Sequence, residues 1–410
     1  MKFTEFKKYA HELWTGYLNT IYKQQKAGIL ITDAANSEVP NSQASSSSDK
    51  VILYPNMLLV TDMGSHFVAE LIGAVDSFNG LIEKEHKERS ITRYFGQFGN
   101  VASNPGFKIN RPDFVMHHLC LARPSDLSEL SNRYPQLSLT VLGQSIIYFS
   151  EEGSSLIEFS DESNCCMIWN CVIVNKYENL FRCKNVLAAL IVKKSAGKPK
   201  MLDIFEKATN MVVDNERLVA GVSVVKRDEA SLIVAGQFQN MYMSPGIRET
   251  TIGEFLHQHP DIIKKVFKTD AFLYEASFDW IEYRNTPKGS QIRPDLMIKR
   301  ADGHYDIYDL KTALLTKSRV TKGKSNRRRF IDGVMEGVGQ LANYREYFSL
   351  PQNLAFANSR YGITVSNPKC VLIVGNYDNS LVEEISEASR MFDGIEIIDY
   401  DTFCKLFVAS

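Results

Sequence analysis

Long apolar runs are missing from this chain of 410 residues. No stretch stays apolar for the roughly 20 residues that a membrane helix needs. The opening run MKFTEFKKYAHELW is polar and amphipathic, so it does not read as a secretory signal. Cysteine is sparse and unpatterned. The seven cysteines (Cys120, Cys165, Cys166, Cys171, Cys183, Cys370, Cys404) are odd in number and contain no C-x-x-C pair. That argues against a zinc knuckle or a disulfide framework and favours buried free thiols in a reducing compartment. An excess of either charge is lacking too: 47 Lys and Arg against 48 Asp and Glu leave a net charge of −1. Nothing draws the whole chain toward nucleic acid or a membrane, so polyanion binding would need a local patch. The expectation is a soluble, cytoplasmic protein with no membrane partner.

The length suits two or three domains. Residues 4–26 have helical spacing, with Phe6, Leu13, Leu18 and Ile21 among charges. The stretch TDAANSEVPNSQASSSSDK (32–50) lacks large apolar residues and reads as a flexible linker or loop. From 51 to 243 short β-like runs recur, among them VILYPNMLLV, CMIWNCVIVNKY, VLAALIVKK and SLIVAGQF. Helical candidates at 65–88 and 201–218 sit between them. This is a mixed α/β region, 1–243, without a catalytic motif of familiar spacing.

Met243-Ser244-Pro245-Gly246 punctuates the chain. Beyond it, 244–410 has a clear order. A helix opens at 249, with a second apolar segment after Pro260. Strands follow at 272–283, at QIRPDLMIKR and at HYDIYDLKTA. A helix at 330–348, the strand CVLIVG, the helix LVEEISEASRMF and a final strand IEIIDYDTF complete the series. The outline is α-β-β-β-α-β-α-β, a sheet flanked by helices.

The central hairpin carries the chemistry. Gly303 suits the last position of a three-residue loop, Ala301-Asp302-Gly303. That loop pairs Arg300 with His304, which puts Asp295 opposite Asp309 and Arg293 opposite Lys311. Paired residues share a face, so Asp295, Asp309 and Lys311 cluster. A two-residue Asp302-Gly303 loop would instead throw the two carboxylates onto opposite faces. Facing carboxylates among Leu, Met, Ile and Tyr repel, and a divalent cation relieves them. Their hard oxygens suit Mg²⁺ or Mn²⁺. The plain alternative is a salt bridge between Lys311 and Asp309 with no metal.

Two further features adjoin the hairpin. Lys311, Lys317, Arg319, Lys322, Lys324, Arg327, Arg328 and Arg329 follow one another with no acid between them. Phosphate backbones are what such a patch most simply serves, although a solvated basic loop has the same composition. On the next helix, Glu336, Gln340, Tyr344 and Tyr347 fall on one stripe at spacings of three or four. Gly333, Gly337 and Gly339 weaken that helix and make sense where something approaches its backbone closely.

Pro294-Asp295, thirteen residues, then Asp309-Leu310-Lys311 resembles the PD-(D/E)XK nuclease signature, and Gln340-x-x-x-Tyr344 resembles an element of one branch of that superfamily. More narrowly, GEFLHQHPDII with RPDLMI…DIYDLK is similar to the nuclease domain of Shedu antiphage defence proteins, over roughly 245–410. The resemblance implies a restriction-endonuclease-like α-β-β-β-α-β core joined to an N-terminal mixed α/β regulatory, sensing or oligomerisation region. It implies Asp295 and Asp309 as metal ligands, Lys311 as the catalytic lysine and Gln340 as a group holding water or the scissile phosphate. Glu254 would be an extra acid at the metal, with Glu275 competing for that role. The second acid is Asp rather than Glu, and its shorter arm demands a closer approach of strand and metal. The activity implied is Mg²⁺-dependent DNA endonuclease action against phage or plasmid DNA by a homo-oligomer, a dimer or tetramer. Lys317, Arg319, Lys322, Lys324, Arg327, Arg328 and Arg329 would contact DNA.

Other motifs carry less. Arg111-Pro112-Asp113 has no acid-x-Lys at hairpin distance and reads as a turn before a strand. Gly323-Lys324-Ser325 ends like a P-loop but has Ser318 where the first glycine belongs.

Overall fold

A computed structural model describes residues 1–28, 50–86, 113–117, 119–122, 145–148, 165–177, 180–213, 216–217, 219–226, 230–243, 246–282, 290–324, 327–392 and 394–408. The Ser-rich stretch expected at 32–50 lies outside them, apart from Lys50. The chain is mixed α/β and divides into two compact units, one built from Met1–Asn175 and Cys183–Asn240, the other principally from Met241–Val408. No helix among the described residues is long and apolar enough to cross a membrane.

In the first unit the helix Phe3–Lys26 buries Phe6, Ala10, Trp14, Leu18 and Ile21, one stripe at helical spacing. It packs on strands Met57–Asp62 and His66–Ile72, which belong to an eight-stranded sheet. Trp14 meets Phe205 edge-on at 4.9 Å, joining this helix to the helix Lys198–Thr209. Three expectations are corrected here. The described part of the stretch 65–88 holds two strands, His66–Ile72 and Ile82–His86, rather than a helix. Every residue of His66–Ile72 is buried, and a strand covered on both faces loses the alternation that distinguishes it from a helix. The helix expected at 201–218 ends at Thr209, and Val212–Val213 pairs with Glu216–Arg217 as short strands. SLIVAGQF is helical, within Ala230–Tyr242. A short run that is apolar all round fits either period.

The second unit opens with α1 (Glu249–Gln258) and α2 (Pro260–Phe267), divided at Pro260 as the sequence suggests. The strands β1 (Phe272–Tyr274), β2 (Phe278–Asp279), β3 (Gln291–Ile292), β4 (Leu296–Lys299) and β5 (Tyr305–Leu310) follow. A small hairpin, β6 (Thr321–Lys322) and β7 (Arg329–Phe330), leads to α3 (Asp332–Phe348) and α4 (Pro351–Tyr361). The chain closes with β8 (Cys370–Ile373), α5 (Val382–Ser389), β9 (Ile395–Ile398) and α6 (Tyr400–Val408). One five-stranded sheet runs β1-β4-β5-β8-β9. Its first two joins are antiparallel and its last two parallel. Helix α3 packs across β5 and β8, burying Val334, Val338, Leu341, Tyr344, Tyr347 and Phe348.

Here the expected strands are shorter than drawn. The stretch 272–283 breaks after Tyr274, where Glu275 adopts φ +46°, and the facing run breaks around Pro294, which has no N–H to give. The final expected strand ends at Ile398. Asp399 then caps α6, its carboxylate accepting from Thr402 N at 2.9 Å and Thr402 Oγ1 at 2.7 Å. Helix α4 was not anticipated, although Pro351 marks its start and Gly362 its end.

Candidate metal and phosphate site

The hairpin has the three-residue loop. Arg300 N donates to His304 O at 2.7 Å and Gly303 N to Arg300 O at 3.0 Å, with Gly303 at φ +86°. The register Leu296↔Tyr308, Met297↔Ile307 then carries Asp295 to the position across from Asp309. Asp295 Oδ2 accepts Leu310 N at 2.6 Å, and Asp295 O accepts Glu275 N at 3.0 Å. Asp309 lies on the face covered by α3. A Cβ at Gly337 would stand 3.2 Å from Asp309 Oδ2 and 2.7 Å from Leu372 Cδ1. Of the three helix glycines, Gly337 is the one that a close approach requires; at Gly333 and Gly339 a methyl would meet open space.

Lys311 leaves the end of β5 and reaches back into the cluster. Its Nζ is 2.8 Å from Asp309 Oδ2, 2.8 Å from Gln340 Oε1 and 3.4 Å from Glu249 Oε2. The structure therefore brings together Asp295, Asp309, Lys311 and Gln340, from two strands and a helix. It adds Glu249, in the first turn of α1, which sequence reasoning missed. Glu254 is exposed further along the same helix, and its charge is felt at Tyr274. Glu275 is held in an ion pair with Arg293. Tyr344, one turn beyond Gln340, is buried and donates to Arg293 O at 3.2 Å.

The electrostatics follow from burial. Asp309 is 2% exposed, and its carboxyl is pushed up to about 7, chiefly by desolvation and then by Asp295, with Lys311 pulling the other way. Asp295 is raised for the same first reason, offset by Leu310 N. Burial works against the Lys311 ammonium, yet Asp309, Glu249 and Asp295 outweigh it and the net shift is upward. Glu249 is raised by burial and held back by Lys311. The Lys311 ammonium pairs with the buried Asp309 Oδ2 at 2.8 Å as an ion contact, outside ideal hydrogen-bonding angles. One ammonium facing Asp295, Asp309 and Glu249 leaves excess negative charge in a partly buried cluster, which a divalent cation would offset. Among the described residues no group of three or more His, Cys, Asp and Glu side chains forms a ready metal cage. Mg²⁺ needs less, because it keeps several waters and is held by one or two carboxylates with phosphate oxygens.

The basic segment sorts into two sets. Arg319 Nη1 lies 2.9 Å and Arg328 Nη1 3.0 Å from Glu384 Oε1, and Thr321 Oγ1 donates to Glu384 Oε2 at 2.7 Å. Arg328 Nε also pairs with Glu387 at 2.6 Å, and Lys322 pairs with Asp332. The contacts to Glu384 and Glu387 pin the β6–β7 hairpin to α5, and Lys322 ties it to the start of α3. Three of the expected DNA-contacting side chains, Arg319, Lys322 and Arg328, thus have acidic partners within the fold. Lys317, Lys324, Arg327 and Arg329 are exposed.

Comparison with known proteins agrees in place with this unit. No curated protein matches the chain. Residues 247–404, from just before α1 into α6, match the family model described as Shedu protein SduA, C-terminal. Over residues 247–404 the chain is therefore similar to the C-terminal part of Shedu protein SduA.

Proposed function

We propose that the chain is a metal-dependent DNA endonuclease of antiphage defence, cutting with its C-terminal unit under control of the N-terminal region. The observation that carries this reading is the convergence of Asp295, Asp309, Lys311 and Gln340, in which one ammonium faces two carboxylates. Asp295 and Asp309 would hold Mg²⁺ or Mn²⁺, with Glu249, rather than Glu254 or Glu275, the acid best placed to join them. Bound there, the ion would acidify a water and offset charge on the phosphate. The protein's own groups do the positioning. Gln340 Oε1 accepts from Lys311 and fixes its direction. The Lys311 ammonium keeps its proton and can donate to a phosphate oxygen or orient the attacking water. Lys317, Lys324, Arg327 and Arg329 would track the DNA backbone. The resemblance to Shedu proteins supports a homo-oligomer, a dimer or tetramer.

A second reading has one observation in its favour. Lys311 already satisfies Asp309, Glu249 and Gln340 by itself, as it would in a catalytically silent nucleic-acid-binding module. Supercoiled plasmid incubated with the full chain in Mg²⁺ or EDTA separates the two. The endonuclease reading expects nicked or linear product in Mg²⁺, none in EDTA, and none from Lys311→Ala that still binds DNA. Binding without cutting in any divalent metal would establish the silent module.

A further inference from the structure

Beyond β5 the chain leaves the sheet and runs from Lys311 to Val320 without regular structure. Its first four residues are nevertheless held one by one. Tyr400, the first residue of α6, donates its hydroxyl to Lys311 O at 2.5 Å. Gly375 N donates to Thr312 O at 3.1 Å. Asn376 Nδ2 and Asn379 Nδ2 each donate to Ala313 O at 2.9 Å, and Asn379 Nδ2 also reaches Leu314 O at 3.0 Å. Four successive carbonyls, starting at the lysine, are therefore met from the region after β8 and the start of α6. Asn379 O then accepts Val320 N at 3.0 Å, so Asn379 fastens both ends of the segment 314–320.

Ordinary packing does not ask for this. Tyr400, Asn376 and Asn379 are fully buried. A buried phenol or amide carries a desolvation cost that an apolar side chain would avoid. Leu314 is held at φ +52°, a backbone region that leucine rarely takes and that persists where surroundings over-determine it. Tyr400 also lies within electrostatic reach of Asp295, Glu249 and Asp309. Its ring stacks on Tyr242 at 5.3 Å, while the Tyr242 hydroxyl serves Asp401 at 2.9 Å and not the lysine.

We propose that Tyr400 is a positioning residue for the phosphodiester hydrolysis: its hydroxyl, backed by Asn376 and Asn379, fixes the main chain at Lys311 so that the ammonium stays between Asp309 and Gln340. This rests on the endonuclease reading. The hydroxyl acts through Lys311 and touches no substrate. Displacing a catalytic group by about 1 Å lowers turnover on the order of 100-fold, so losing one of several ties should lower it by ~10- to 100-fold.

The test compares Tyr400→Phe with Tyr242→Phe in the full chain. Tyr242→Phe also removes a buried hydroxyl from the same stacked pair but leaves the Lys311 carbonyl bonded. Three quantities are measured: kcat and KM for a DNA duplex in Mg²⁺, DNA affinity in EDTA, and amide hydrogen exchange across 310–314. For Tyr400→Phe, kcat should fall by the factor above with KM and affinity unchanged, and exchange should quicken across 310–314. Tyr242→Phe should keep wild-type kcat. Unchanged kcat in Tyr400→Phe, a change confined to KM, or an equal loss in both variants overturns the proposal. Should wild-type chain cut no DNA in any divalent metal, the endonuclease reading and Tyr400's role in turnover fall together; quickened exchange across 310–314 would then leave only the structural tie standing. Should Tyr400→Phe not fold, Asn379→Ser is read by the same criteria.

Discussion

Replacing Asp309 by asparagine should stabilise the metal-free C-terminal unit while abolishing the proposed DNA cleavage. The carboxyl is raised from 3.8 to about 7 by burial and by Asp295, so at neutral pH and above the folded state carries an ion it holds poorly. The sign follows from proton linkage. Below about pH 4 the carboxyl is protonated both folded and unfolded, and contributes nothing to the pH dependence. Between 4 and 7 the folded state keeps the proton that the unfolded chain has lost, so stability falls as pH rises. Above 7 the full cost is present. A shift of about 3 units at ~1.4 kcal/mol each sets a ceiling of about 4 kcal/mol. Relaxation and water entry around the ionised group reduce this to an expected ~1–3 kcal/mol. Asparagine keeps the shape and drops the charge. Hydrogen exchange of the β4–β5 amides in EDTA reads the stability of this unit alone. The Asn variant should be better protected at pH 8, with the gain shrinking as pH falls toward 4. Millimolar Mg²⁺ should reverse the order, since only the wild type has a site to fill. Equal or poorer protection at pH 8, or a gain independent of pH, would refute the reasoning.

Two further outcomes follow from the same geometry. Gly337→Ala pushes a methyl against Leu372 and Asp309, so it should destabilise the unit by ~1–3 kcal/mol in urea unfolding and reduce cleavage more than DNA affinity; a neutral effect on both would show that the contact yields. In salt titrations of DNA binding, neutralising Lys324, Arg327 and Arg329 together should lower the slope of log affinity against log salt by ~2–3 with thermal stability kept. Neutralising Arg319 and Arg328 should leave the slope and lower the melting temperature, because those side chains serve Glu384 and Glu387; the opposite pattern would reassign them to DNA.

The hairpin was legible because its information is local. Gly303 fixes the loop length, and the two-residue period of a strand then decides which side chains meet, so Asp295, Asp309 and Lys311 could be placed by counting. Helical spacing put Gln340 on a stripe with Tyr344, and the resemblance to the nuclease signature marked it as a site residue. What stayed hidden depends on packing between distant segments. Glu249 reaches Lys311 only because α1 lies beside the end of β5. Tyr400 looked like part of a strand until Asp399 ended β9 and capped α6. The basic run read as one patch because its partners, Glu384 and Glu387, lie on a helix far along the chain. In the first unit, His66–Ile72 and Ala230–Tyr242 are apolar enough to suit either period, and burial rather than pattern chose between them.

The central claim is that the two carboxylates of the hairpin exist to hold a divalent ion. Calorimetric titration of Mn²⁺ into the full chain, set beside Asp295→Asn and Asp309→Asn, tests it most directly. Saturable uptake by the wild type that both substitutions abolish is the predicted result. Absence of uptake by the wild type, or undiminished uptake by both variants, would contradict the account.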